Sequence, residues 1–543
     1  MLKYSRGRAL STTRVKPPPS KMPRSLAANV RRGAIWSLLG TVAWRLSAIG
    51  ITAIVAHILT PHDFGVFAVA TIVFTIVSAL GEFGVTSCLA RADLDADKLA
   101  PTLWSVTLVT SSLIAILLYE FASPISASLG SRDAKDPVRV MALVMLIWGL
   151  GAVPTAQCIR EFKQHTLFWA NAISFIPGNA VLLILARHGD GAMAYAWSRV
   201  AGQAVSCAVV VYSAPKLHMP GVSRYAFKVL FKVGLPLACA NFLGYVLQNV
   251  DYALIGHLIG PVSLGAYVLA FNVASWSMTV LGNVLNTVSM PAFSRVRNDI
   301  AKLRSAVTDS VRLVTLIAAP MCTMTIALAR PLVLTIYGSK WSSSAEVLSI
   351  LTIYGFISVL GVMISNVLAA VGRSKTVLLV QLLWLAALAP AMWLGVRQDG
   401  IVGAATAHIA IIAPVVLPCY LISLKHSTGV KIADLVKAAM PSLAVATIMA
   451  FLAWCAETLT EGPLTKLVVG SATGGLLYAM VMFPRLVSLM TRGRALPSGL
   501  EKTMIKYNRV GRTLGLPTGA APRHAIVRPR RQALRGRSQL RSD

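Results

Sequence analysis

Apolar residues in this chain run together in stretches of about twenty, separated by short breaks of Lys, Arg, Pro and Gly. A bilayer core about 30 Å thick takes roughly 20 apolar residues per helix. Fourteen stretches meet that length, at 34–59, 64–90, 101–120, 139–159, 166–186, 191–213, 229–257, 263–291, 308–336, 345–370, 375–395, 401–424, 434–458 and 464–483. Membrane strands would alternate apolar and polar over about ten residues. The pattern therefore predicts an all-α polytopic membrane protein with about 14 transmembrane helices.

Composition agrees. The 543 residues are 56% hydrophobic and 13% charged, more apolar surface than a soluble fold of that size buries against itself. Charge adds orientation. The 51 Lys and Arg concentrate in the segment up to Arg32, in the segment from Arg485 onward and in every second connection, including Lys216, Arg224, Lys228 and Lys232. By the positive-inside rule both termini are cytoplasmic. The net charge of +31 then fits attraction to anionic membrane lipids better than nucleic-acid binding. The first apolar run is too long for a signal-peptide core, so no cleavable signal is expected.

The chain also repeats. VAHILTPHDFGVFAVA from Val55 aligns without gaps on IGHLIGPVSLGAYVLA from Ile255, pairing His57 with His257, Pro61 with Pro261, Gly65 with Gly265 and Phe67 with Tyr267. DGAMAYA from Asp190 matches DGIVGAA from Asp399. Six spans per repeat, an even number, start both halves from the same side of the membrane, as in parallel-repeat carriers whose substrate sits between the halves. The expected division is a basic N-terminal tail (1–33), two pseudo-symmetric six-helix lobes (34–215 and 216–425), a C-terminal helix pair (426–487) and a basic disordered tail (488–543).

No GxxxxGK[ST] loop, HExxH, nucleophile elbow or zinc spacing occurs. The longest external loop expected, 121–138, is short for a glycan polymerase or ligase. The seven cysteines fall within or at the ends of apolar spans without a CxxC pair, as packing thiols do. A carrier is expected, not an enzyme, with no cofactor and no metal site.

RRGAIWSLLG followed by LTPHDFGVFAVATIVFTIVSALGEFGVTSCLARA, then NVDYALIGHLIGPVSLGAYVLAF, MPAFSRVRND and LTIYGSKWSSSAEVLSIL, resembles the Wzx-type polysaccharide flippases over about residues 30–425. That superfamily also holds multidrug and toxin extruders and the peptidoglycan-precursor flippase. The resemblance implies transfer of undecaprenyl-pyrophosphate-linked oligosaccharide from the cytoplasmic to the periplasmic leaflet of the bacterial inner membrane, for exopolysaccharide, capsule or O-antigen. It further implies a polysaccharide polymerase and co-polymerase as partners, and a role for spans thirteen and fourteen in holding the polyprenyl tail. A cation-coupled drug extruder of the same superfamily is the alternative.

Charges at membrane depth are costly and need a reason to be there. Arg45 and Arg199, each near mid-span, suit a pyrophosphate; a structural pair with Glu82 or Asp251 is the competing role. Asp251 is a candidate for coupling to H+ or Na+, against a plain helix-anchoring hydrogen bond, and Glu82 for coupling or an inner gate. Asn241, Gln248, Asn272, Asn283, Asn286, Gln381 and His408 are candidates for sugar contacts, with interhelical hydrogen bonding as the competing role. The repeat places His408 opposite Arg199 and Tyr245 opposite Arg45. His57 and His257, at matched helix ends, suggest a shared structural or gating role.

Overall fold

A computed structural model describes residues 47–82, 85–90, 96–161, 163–214, 218–276, 293 and 299–490. Arg45, Asn283, Asn286, the N-terminal tail and the C-terminal tail from 491 onward lie outside the described residues, as do the side chains of Glu82 and Asn241; residues 488–490, expected in the tail, continue a helix. Met1–Val55 is one compact unit, of which 47–55 is helical, and Ala56–Asp543 is the other.

All regular structure among the described residues is helical. In chain order the helices are α1 (Ser47–Ile58), α2 (Pro61–Glu82), α3 (Val85–Ala90), α4 (Ala96–Glu120), α5 (Ala122–Ser128), α6 (Lys135–Arg160), α7 (Gln164–His188), α8 (Ala192–Tyr212), α9 (Arg224–Val229), α10 (Leu235–Ile259) and α11 (261–276). There follow α12 (Ile300–Ala327), α13 (Ala329–Ile336), α14 (Ser344–Ala370), α15 (Ser374–Ile411), α16 (Leu417–Thr428), α17 (Ile432–Thr458) and α18 (Pro463–Met490). Nine helical segments among the described residues are long and apolar enough to cross a membrane by length and composition, one of them the 55-residue run Ser374–Thr428. Helices α8 and α10 have similar lengths but stand outside that count, because Arg199, Gln203, Gln248, Asn249 and Asp251 lower their hydropathy.

Three expectations need correction. Residues 121–138 are not an open loop: α5, a short 3-10 turn and the start of α6 fill them. The stretch 308–336 divides at Leu328 between α12 and α13. Cys239 is exposed on α10, whereas Cys88, Cys158, Cys207 and Cys322 are buried; none of the seven forms a disulfide.

Local chemistry explains where helices begin. Thr60 and Asp63 bracket the start of α2: the Thr60 N–H and hydroxyl donate to Asp63 Oδ2 at 2.9 and 2.7 Å, with Pro61 at the first helical position. This reciprocal cap satisfies donors that a helix start leaves unpaired, and proline there loses no hydrogen bond.

The matched sequence segments share backbone conformation. Gly191 adopts φ 53°, ψ −127° before α8, and Gly400 adopts φ 57°, ψ −130° where α15 breaks. Such torsions are nearly closed to other residues. Each also follows the same order of elements: long helix, helix of seven or eight residues, three-residue 3-10 turn, long helix, as α4–α5–α6 and as α12–α13–α14.

Packing between the segments is reciprocal. A Cβ on Gly65 would collide with the Pro261 carbonyl, and one on Gly265 would collide with the Pro61 carbonyl and come within 2.9 Å of Gly65 N. Glycine at both positions lets the starts of α2 and α11 touch backbone to backbone. The turn after α13 clasps the end of α1: Lys340 Nζ donates to the carbonyls of His57 and Leu59 at 2.9 and 2.8 Å, and buried Trp341 Nε1 donates to that of Ala56 at 3.0 Å. The end of α5 reaches the end of α10, where His257 Nδ1 donates to Ser128 O at 2.7 Å. His57 and His257 thus mark helix ends held by the opposite segment, and no metal-binding group occurs among the described residues.

Helices α17 and α18 pack on α12 through Leu316, Ala319, Ala446, Tyr478 and Met482. Tyr478 Oη donates to Leu316 O at 2.9 Å.

Candidate functional site

A buried polar cluster joins α10, α11, α14 and α15. Asp251, eight residues before the end of α10, is 3% exposed, and His408, from the part of α15 after the Asp399–Gly400 break, is 4% exposed. Between them stands Tyr267 of α11, fully buried. Its hydroxyl donates to Asp251 Oδ2 at 3.3 Å and lies 3.2 Å from His408 Nε2, which is itself 3.7 Å from Asp251 Oδ2. Since the phenol proton goes to the carboxylate, the phenol oxygen accepts from His408 Nε2–H. Asp251 Oδ1 also accepts from the Tyr252 N–H at 2.9 Å.

Aromatic rings wall the cluster. Tyr354 of α14 lies against the imidazole, ring centroids 4.4 Å apart, and Phe271 lies at 6.4 Å. Tyr252 meets Tyr267 edge-on at 6.0 Å. These rings exclude water, so the carboxylate has a phenol and an imidazole in place of solvent. A buried charge is tolerated when it is paired and hydrogen-bonded. His408 Nδ1 is buried with no hydrogen-bond partner among the described residues.

Two residues singled out separately in the sequence, Asp251 and His408, therefore meet. His408 does so by being buried, and it does not present itself to an open surface where a sugar would bind. Tyr267 and Tyr354 were not among the sequence candidates. The repeat carried a signal for the first, because Tyr267 aligns with Phe67 and differs by the hydroxyl that joins acid to imidazole. Around Phe67 the matching place is apolar and aromatic: Phe67 stacks on Tyr195 at 4.6 Å and 16°.

The other candidates lie apart. Arg199, seven residues into α8, is exposed, as are Gln248, Asn272 and Gln381. Gln248 Nε2 donates within its own helix to Gly244 O at 3.3 Å. Asn249, beside it, donates to Tyr245 O at 2.7 Å.

The profile of a family described as polysaccharide biosynthesis protein matches residues 54–346. The succinoglycan biosynthesis transport protein ExoT of Rhizobium meliloti is 28% identical over 344 residues, covering 61% of this chain and 67% of that protein. The lipopolysaccharide biosynthesis protein WzxC of Escherichia coli is 24% identical over 360 residues, covering 64% of this chain and 71% of that protein. Among solved structures, the lipid II flippase MurJ in its inward closed conformation superposes with a TM-score of 0.66 at 16% identity, over 83% of this chain and 99% of that one. The likeness to MurJ is one of fold.

Proposed function

Because the chain belongs to the polysaccharide biosynthesis protein family, we propose that it is a multi-pass membrane carrier which moves a lipid-linked oligosaccharide, an undecaprenyl-pyrophosphate-linked glycan, from the cytoplasmic to the periplasmic leaflet for surface polysaccharide assembly. The family match across 54–346 carries this reading. The names of ExoT and WzxC and the fold shared with MurJ support it.

The mechanism proposed is alternating access between two lobes, 34–215 and 216–425, with both termini cytoplasmic in the bacterial inner membrane. The matched torsions at Gly191 and Gly400 and the reciprocal contact of Gly65 with Gly265 support a pseudo-two-fold relation between them. In this topology the contact at Pro61, Gly65, Pro261 and Gly265 closes the periplasmic side, and Lys340 and Trp341 hold it closed. Parting these helices opens the outward state.

Arg45 and Arg199 bind the pyrophosphate, since a guanidinium presents a forked set of donors to phosphate oxygens. The Asp251–Tyr267–His408 cluster couples transport to the proton gradient. A proton arriving on the pair changes its charge from within a water-poor core, which changes the free energy of packing α10 and α11 against α15. The helix pair 426–487 lies on α12 and offers a surface for the polyprenyl tail.

A strain lacking this protein is expected to lose its surface polysaccharide and accumulate undecaprenyl-linked repeat units on the cytoplasmic face. The protein returned on a plasmid restores the polysaccharide, whereas the Arg45→Gln/Arg199→Gln double variant, present in the membrane at the same level, does not. Normal polysaccharide in the deletion strain, with heightened drug sensitivity, would overturn the reading in favour of a drug extruder. Full complementation by the double variant would remove the arginines from the site.

A further inference from the structure

A groove lined by α4 and α6 lies apart from the Asp251 cluster, whose residues come from α10, α11, α14 and α15. Helices α4 and α6 line a groove of about 470 Å³ walled by Ala115, Ile116, Tyr119, Leu143 and Leu146, within the roughly 300–1,000 Å³ of ligand clefts. Ile116, Tyr119, Leu143 and Leu146 are exposed. On a multi-pass membrane protein an exposed apolar groove faces lipid tails, so an acyl chain is the solvent it meets.

Apart from the Ser112 hydroxyl at its far end, the groove is polar only at its mouth. Glu120, the last residue of α4, and Arg139, in the second turn of α6, both line it there. Arg139 sits over the Tyr119 ring at 4.9 Å, with Nη1 3.6 Å from Asp136 and Nε 3.5 Å from Tyr119 O. All of these contacts are long, so the guanidinium keeps donors for an incoming acceptor. From Ser112 to Glu120 the helix rises about 12 Å, most of one leaflet of a bilayer core about 30 Å thick.

We infer that this groove binds a phospholipid bearing a primary amine, in the leaflet at the α4–α6 end, which is the periplasmic one in the topology proposed above. One acyl chain lies between α4 and α6, the phosphate accepts from Arg139, and the ammonium donates to Glu120, with Asp136 beside it. Charge selects this headgroup. Two carboxylates beside one guanidinium repel a purely anionic headgroup, and more so a polyprenyl diphosphate. A quaternary ammonium has no N–H to donate to Glu120.

The full-length protein, delipidated in detergent, is titrated with phosphatidylethanolamine, phosphatidylcholine or phosphatidylglycerol of identical acyl chains, and bound lipid is counted by native mass spectrometry. Phosphatidylethanolamine is expected to bind tightest. Arg139→Gln and Glu120→Gln each weaken it about tenfold, the contribution of one hydrogen bond to a charged group. Leu143→Trp, which fills the groove, removes binding. All three side chains are on the surface, and an unchanged melting curve identifies the folded variants. Equal or tighter binding of phosphatidylglycerol, or phosphatidylethanolamine binding that ignores all three substitutions, would overturn the inference.

Discussion

Replacing Gly65 with leucine is expected to abolish polysaccharide export while leaving the protein in the membrane. A Cβ at that position has nowhere to go, because the Pro261 carbonyl occupies its place, and backbone on the first turn of α11 does not swing aside as a side chain would. Forcing extra atoms into such a contact costs about 3 kcal/mol at the upper end of overpacking, enough to shift a two-state equilibrium more than a hundredfold. The variant is then held with its α2 and α11 ends apart. A cysteine introduced near this contact in a cysteine-free background should react with a membrane-impermeant thiol reagent in the Gly65→Leu protein and stay protected in the parent. Gly265→Leu, which meets the Pro61 carbonyl, should behave alike. Normal export by either variant would show that the contact is not a gate.

The second large effect is at Asp251. Asparagine keeps nearly the same shape and still accepts from the Tyr267 hydroxyl, so a helix-anchoring role survives Asp251→Asn. A coupling role does not, since the amide cannot exchange a proton with His408 through the phenol. Export is therefore expected to fall by about tenfold, within the range of typical coupling free energies between sites, and to lose its response to the proton gradient, with the thermal midpoint little changed. A variant that exports normally but melts earlier would assign Asp251 to anchoring.

The helical layout was legible because lipid imposes a simple rule: each spanning stretch must be apolar and long, and the breaks between them polar. The repeat was legible through the residues whose torsions or close approaches leave no freedom, and Gly65, Gly265 and the Asp-Gly pairs at 190 and 399 are of that kind. Their meaning was not. Pro61 and Gly65 look like turn formers in the sequence, and only the reciprocal placement of Pro261 and Gly265 makes them a contact. Asp251 stood out by its cost, and His408 through the repeat, yet 157 positions separate them in the sequence and nothing local joins the two. Residues 121–138 misled for the opposite reason. Small and polar residues there suggest a loop, but α5 carries Ser128 to the end of α10.

Transport by the purified protein in sealed vesicles distinguishes transfer of a lipid-linked glycan from export of a drug. Undecaprenyl-pyrophosphate-linked oligosaccharide is built into both leaflets, and a glycan-cleaving enzyme outside the vesicles reports how much becomes accessible under an imposed proton gradient. With the parent protein the inner-leaflet pool is expected to be consumed, and with Asp251→Asn to be consumed about tenfold more slowly, without a response to the gradient. An inner-leaflet pool that stays protected with the parent protein, in vesicles where the same protein moves a cationic drug, would contradict the account.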